Sequence, residues 1–129
     1  MIVVDSSIWI EQIRRPGSRM AQRLKAIDNP EDIIIGDLIL LEVLQGARDD
    51  QHAARIEREL RRFAIEPVLN EQIAIRSAQN YRKLRDRGVT VRKTVDLIIA
   101  TFCVERDHSL LHDDRDFDLM APHIGLMVL

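Results

Sequence analysis

The sequence is poor in aromatics and cysteine and has no long apolar run. Its 129 residues include one Trp, one Tyr, three Phe and a single Cys. One thiol allows no internal disulfide, and Cys103 lies inside the run VDLIIATFCV, where a small buried thiol is expected rather than a reactive one. His52, His108, His112 and His123 show no ligand spacing of the H-x-x-x-H kind, which disfavours zinc and marks them as surface or satisfied residues. The scarcity of aromatics leaves Leu, Ile and Val to build the core and gives base stacking few residues to draw on. The two longest greasy stretches, IIIGDLILLEVL and VDLIIATFCV, are too short to span a bilayer, and the first carries Asp37 and Glu42. The amino terminus has no basic region followed by a long apolar one, since Asp5 interrupts it at once, so a cytoplasmic protein without membrane association is expected. Three classes that place chemistry after a first strand are also excluded. DSSIWIE lacks the G-x-G-x-x-G of a dinucleotide binder. Ser7 stands where a haloacid-dehalogenase-type phosphohydrolase needs a second Asp, and no Lys follows Arg115 to serve a receiver domain.

What is present is charge, unevenly spread. Residues 1–54 carry 6 basic and 9 acidic side chains, residues 55–93 carry 11 and 5, and residues 94–129 carry 2 and 7. A basic middle between acidic ends suits a protein that handles a polyanion, and equally suits a pair of Arg-rich solvated helices.

The chain reads as one domain, 1–129, in which strands alternate with helices. IVVD at 2–5 is a β-branched strand, with Ser6 and Ser7 as the cap leading into the helix IWIEQIRR. Pro16-Gly17 breaks that helix, and SRMAQRLKAI makes a second. DIII at 32–35 is a buried strand followed by the helix GDLILLEVLQGA, ending near Gly46. QHAARIERELRRF repeats apolar residues near helical spacing, and IEPVL is a weak strand that Pro67 assigns to an edge. NEQIAIRSAQNYRKLRDRG is an amphipathic helix closed by Gly88, and TVDLIIATFCVERD is apolar on all sides and hence a buried helix. SLL and GLMVL supply the last two strands. This order implies a three-layer α/β/α sandwich around a mostly parallel sheet of about five strands.

In open α/β sheets ligands bind beyond the carboxyl ends of the strands, and the acids gather there. Asp5 closes the first strand, Glu42 sits in the helix leaving the second, and Asp113, Asp114 and Asp116 follow the fourth. Asp96 stands in the first turn of the buried helix that enters the fourth strand. Taken singly, most have ordinary explanations: Asp5 can end a strand, Asp96 complements a helix dipole, and the late aspartates suit turns and caps. Glu42 does not. It has apolar neighbours all round its helix, and no Lys or Arg occurs between Lys25 and Arg48 to neutralise it. An unpartnered carboxylate in such surroundings costs several kcal/mol or shifts its pKa, and a shared cation accounts for it better. Converging hard oxygen ligands select Mg²⁺, with Mn²⁺ as its substitute.

The segments VVDSSIWI, LLEVLQG, RKTVDLIIATFC and LLHDDRDF, in this order and at this spacing, resemble the PIN-domain ribonucleases, and more narrowly the VapC-type toxins of toxin–antitoxin pairs. The resemblance covers essentially the whole chain. It implies that Asp5, Glu42, Asp96 and Asp114 form a catalytic, metal-binding acidic site, with Asp5 and Asp96 as the main Mg²⁺ ligands and Asp116 and Ser6 in support. Asp113 occupies a position where many relatives carry another polar residue, so Asp114 is assigned by its spacing before Asp116-Phe117. The activity implied is Mg²⁺-dependent hydrolysis of RNA, leaving a 5′-phosphate and a 3′-hydroxyl. The basic middle would supply phosphate contacts, with Arg92 and Lys93 best placed because they precede Asp96. The resemblance also implies a cognate antitoxin covering the acidic groove, a homodimer and a toxin–antitoxin hetero-oligomer. The competing expectation is a non-catalytic PIN-like interaction domain that keeps its acids as a docking surface for a protein partner.

Overall fold

The computed structural model describes Met1–Leu129. Five short strands, β1 (Ile2–Val4), β2 (Ile33–Gly36), β3 (Ala64–Glu66), β4 (Ser109–Leu111) and β5 (Met127–Val128), form one sheet in the order β3-β2-β1-β4-β5. Every pairing is parallel, with Val3 opposite Ile34 on one side and Leu110 on the other. Burial follows position in the sheet. β2 is buried throughout and β1 and β4 nearly so, whereas β3 and β5 are the exposed edges, as Pro67 foretold for the former.

Seven helices connect these strands: α1 (Ser6–Arg14), α2 (Arg19–Lys25), α3 (Asp37–Gln45), α4 (Asp50–Leu60), α5 (Glu71–Asp86), α6 (Thr94–Glu105) and α7 (Arg115–Ile124). From β1 the chain steps outward to β2 and β3, then returns to the other side of β1 for β4 and β5. Crossovers between parallel strands are right-handed, so reversing the direction of travel moves the connecting helices to the opposite face. The contacts agree: α1 packs on α2 and α3, and α3 on α4, while α5, α6 and α7 pack on one another. The expected three-layer sandwich is therefore the architecture found.

Local chemistry sets the boundaries that matter for the site. Gly36, the last residue of β2 and the cap of α3, is a glycine because a Cβ there would collide with the side chain of Val68, and Asp37 Oδ1 accepts from the Val68 N–H at 3.1 Å. Those two contacts fix the start of α3 and hence the placement of Glu42. Helix α6 lies between α5, α7 and β4, which is why Asp96, Leu97, Ile99, Ala100, Thr101, Phe102 and Cys103 are all buried. Burial pushes the Cys103 thiol up to about 12, the inert state expected of it.

Three expectations need correction. The cap of α1 is Asp5 and not a serine: its carboxylate accepts from the Ser7 N–H, and both serines lie within the helix. A short 3-10 turn at Pro30–Asp32, capped by Asn29, precedes β2. A helix not expected between the last two strands, α7, spans Arg115–Ile124 and buries Phe117, Met120 and Ile124. Its apolar residues recur at helical spacing, but Pro122 and the acidic first turn obscure the pattern.

Candidate active site

The strand order reverses between β1 and β4, and the crevice at their carboxyl ends is the topological switch point of the sheet. Asp5 and the turn 112–114 meet there. The Asp5 N–H donates to Leu111 O at 2.9 Å, extending the ladder by one residue and bringing the two strand ends side by side. Asp5 is 3% exposed, and its Oδ2 accepts from both the Ser7 N–H, at 3.1 Å, and the Ser7 Oγ, at 2.6 Å. The Ser7 Oγ in turn accepts from the Asp113 N–H at 3.1 Å, so one hydroxyl ties the first strand end to the second.

Asp96 reaches the same crevice from the first turn of α6 and is 4% exposed. Burial, then the charges of Asp5 and Asp114, push its pKa from 3.8 up to about 7. Asp114 caps α7, with Oδ1 accepting from the Asp116 N–H at 2.9 Å. Carboxylate oxygens of Asp96, Asp114 and Asp116 all lie within 4.8 Å of one another. Asp5 and Glu42 border this trio. The pKa of each is raised, for both chiefly by burial, and Asp5 adds its charge to the rise at Glu42. Glu42 is half-buried on α3, and its Oε1 accepts from the Ser6 Oγ at 3.2 Å.

All the acids singled out by the sequence thus gather at one crevice, apart from the Asp113 carboxylate. That residue is exposed and contributes its backbone N–H to Ser7. Of the two basic residues named, Lys93 places its Nζ 3.8 Å from Asp114 Oδ2, whereas Arg92 is exposed and makes no ion pair. Sequence reasoning missed Ser7 and His112. The His112 ring is buried, and its Nδ1 accepts from the Asp114 N–H at 3.0 Å. The only signals for these two were their positions, two residues after one acid and two before another.

Two oxygens decide what the crevice can hold. Asp5 Oδ1 and Asp96 Oδ2 are buried and accept no hydrogen bond. Buried carboxylate oxygens without donors are costly, and like charges beside them raise the cost. Neither carboxylate forms an ion pair: Lys93 pairs with Asp114, and its charge offsets only part of what burial and the neighbouring acids do to Asp96. An all-oxygen donor set with unfilled acceptors fits a hard divalent cation and does not fit zinc. A cavity of about 720 Å³ lies elsewhere, between Trp9, Leu24, Ile33, Ile56 and Phe63, and none of these acids lines it. Its walls are half apolar, and Lys25, Arg48, Arg55 and Arg62 bring basic charge where the crevice brings acids.

Comparison with known proteins gives a consistent outcome. Residues 2–121 match the PIN domain family. Ribonuclease VapC11 of Mycobacterium tuberculosis and VapC ribonuclease Mb1587 of Mycobacterium bovis are each 34% identical over 126 residues, covering 94% of this chain and 92% of theirs. The fold is that of VapBC2 from Rickettsia felis, solved bound to a promoter DNA fragment, with a TM-score of 0.80 at 17% identity over 100% of this chain and 98% of that one.

Proposed function

The chain belongs to the PIN domain family, and on that premise we propose that it is an endoribonuclease, the toxin of a toxin–antitoxin pair, cleaving RNA with a divalent cation held by Asp5, Asp96, Asp114 and Glu42. The observation that carries the proposal is the pair of buried, unpartnered oxygens, Asp5 Oδ1 and Asp96 Oδ2, at a crevice where carboxylate oxygens of Asp96, Asp114 and Asp116 lie within 4.8 Å of one another. A docking surface has no need for acids held in so costly a state. The ribonuclease names of relatives at 34% identity support the reaction, and their VapC type supports an antitoxin as partner.

Each side chain has a task in this scheme. The Ser7 hydroxyl and N–H occupy Asp5 Oδ2, leaving Oδ1 as the single free ligand atom. Asp96 presents Oδ2 from a helix that packing holds rigid. Asp116 donates its N–H to Asp114 Oδ1, so Asp114 Oδ2 faces the crevice and Lys93. Ser6 donates to Glu42 Oε1, and Oε2 is left to accept a proton from the attacking water. Bound Mg²⁺ would supply charge to polarise the scissile phosphodiester and to acidify that water. Lys93 stands ready to exchange its contact with Asp114 for an RNA phosphate, and Arg92 to add a second. The exposed apolar residues Ile75 and Tyr81 on α5 offer surface for a homodimer. No helix is long and apolar enough to cross a membrane, and the proposed site of action is the cytoplasm.

The test is cleavage of total RNA by the purified chain in Mg²⁺ and in EDTA, for wild type, Asp5→Ala and Asp96→Ala. Metal-dependent fragments that vanish in both variants bear the proposal out. Identical patterns in every sample, with any co-purified inhibitor removed, overturn it in favour of a docking surface.

A further inference from the structure

The turn that carries Asp114 out of β4 is held by a histidine that has no place among the carboxylates themselves. His112 is 6% exposed, and its ring lies against Phe117 with centroids 5.0 Å apart. Nδ1 accepts from the Asp114 N–H at 3.0 Å. A ring nitrogen that accepts carries no proton, so the proton is on Nε2, which faces Asp118 Oδ1 at 3.2 Å, outside good hydrogen-bond geometry. Asp118 thus favours by charge the tautomer that keeps Nδ1 free to accept. The neighbouring amide, that of Asp113, is held by Ser7 Oγ.

We propose that His112 is a positioning residue for the carboxylate centre: through Nδ1 it fixes the Asp114 amide, and so sets the orientation of the Asp114 carboxylate as a cation ligand. The geometry gives the reason. Asp114 must cap α7 with Oδ1 and present Oδ2 to the crevice at once. That demands one backbone orientation at residue 114, where φ is −132° and ψ is 116°. An amide bonded to a ring wedged against the fully buried Phe117 cannot rotate away from that orientation. Partners one step behind a metal ligand commonly govern affinity in this way.

The inference rests on the proposed cation centre, and two variants of the full chain separate it from that premise. His112→Phe keeps a ring against Phe117 and removes the acceptor. His112→Asn loses the ring and keeps an acceptor able to reach the amide two residues on. Mn²⁺ affinity, measured by calorimetry, is expected to fall about tenfold or more in His112→Phe and to stay within about threefold of wild type in His112→Asn. In the metal-free protein the Asp114 amide is expected to exchange faster with solvent in His112→Phe alone. Equal Mn²⁺ affinity in wild type and His112→Phe, or affinity that follows the ring and not the acceptor, overturns the inference. Wild type that binds no Mn²⁺ overturns the cation centre and the inference with it. His112→Leu is a second acceptor-free variant if His112→Phe does not fold.

Discussion

The hydroxyl of Ser6 donates to Oε1 of Glu42 at 3.2 Å, joining the first turn of α1 to the middle of α3 above the acidic crevice. Glu42 has no other hydrogen-bond donor, and burial together with the Asp5 charge raises its pKa. Ser6, together with the charge of Lys93, opposes that rise, and its hydrogen bond aims the carboxylate. A hydrogen bond to a charged group is worth about 1.5–3 kcal/mol, so Ser6→Ala is expected to slow RNA cleavage about tenfold, with little change in melting temperature. Ser6→Thr is expected to keep most of the rate. Single-turnover cleavage of a defined RNA checks both.

Asp96 makes the metal-free fold dependent on pH in a defined direction. Its pKa is 3.8 ordinarily and about 7 in the folded chain, so between those values the folded form holds a proton that the unfolded form has released. The unfolded state therefore binds fewer protons there, and stability falls as pH rises through this window. Asp96→Asn, which mimics the protonated carboxyl, lacks that loss. Urea titrations in EDTA are expected to show wild type and Asp96→Asn nearly equal at pH 4, with the variant increasingly the more stable up to about pH 7 and the difference constant beyond it.

Divalent cation should reverse that order. A ligand present at a hundred times its Kd stabilises the state it binds by about 2.7 kcal/mol, provided the unfolded chain does not bind it. Mn²⁺ is expected to raise the melting temperature of wild type by several degrees, more at pH 8 than at pH 5.5, where Asp96 is largely protonated. The Asp96→Asn melting temperature is expected to stay where it was. Differential scanning fluorimetry across the two pH values reads this directly.

Gly36 carries a purely structural prediction. A methyl group there would collide with the Val68 side chain, which is 1% exposed and has no room to withdraw. Overpacking of this kind costs typically about 1–3 kcal/mol, so Gly36→Ala is expected to lower the urea midpoint. Val68→Ala in the same chain opens the space and is expected to restore part of the loss, although Val68→Ala alone destabilises.

Much of this was legible from the sequence, for identifiable reasons. Central strands such as IVV and III are continuous β-branched runs, and α6 is apolar on every side, so burial is written into composition. Glu42 betrayed itself by contrast with its apolar neighbours. Helix α7 stayed hidden because Pro122 and the charges of its first turn outweigh three core residues in a ten-residue span. The capping role of Asp5 was hidden for a different reason: aspartate and serine cap about equally well, and only the backbone shows which of Asp5, Ser6 and Ser7 precedes the first helical turn. Ser7 and His112 act through hydrogen bonds to amides that lie 106 and 2 residues away, and neither geometry has a composition signature.

The presence of an ion among the carboxylates can be seen directly. Crystals of the chain soaked in Mn²⁺, examined by anomalous diffraction at the manganese edge, are expected to show a peak about 2.2 Å from Asp5 Oδ1 and Asp96 Oδ2, with Asp114 completing the contact directly or through water. Soaked crystals that show no peak in that crevice, from protein that still cleaves RNA, would contradict the claim that these two buried oxygens exist to hold a catalytic cation.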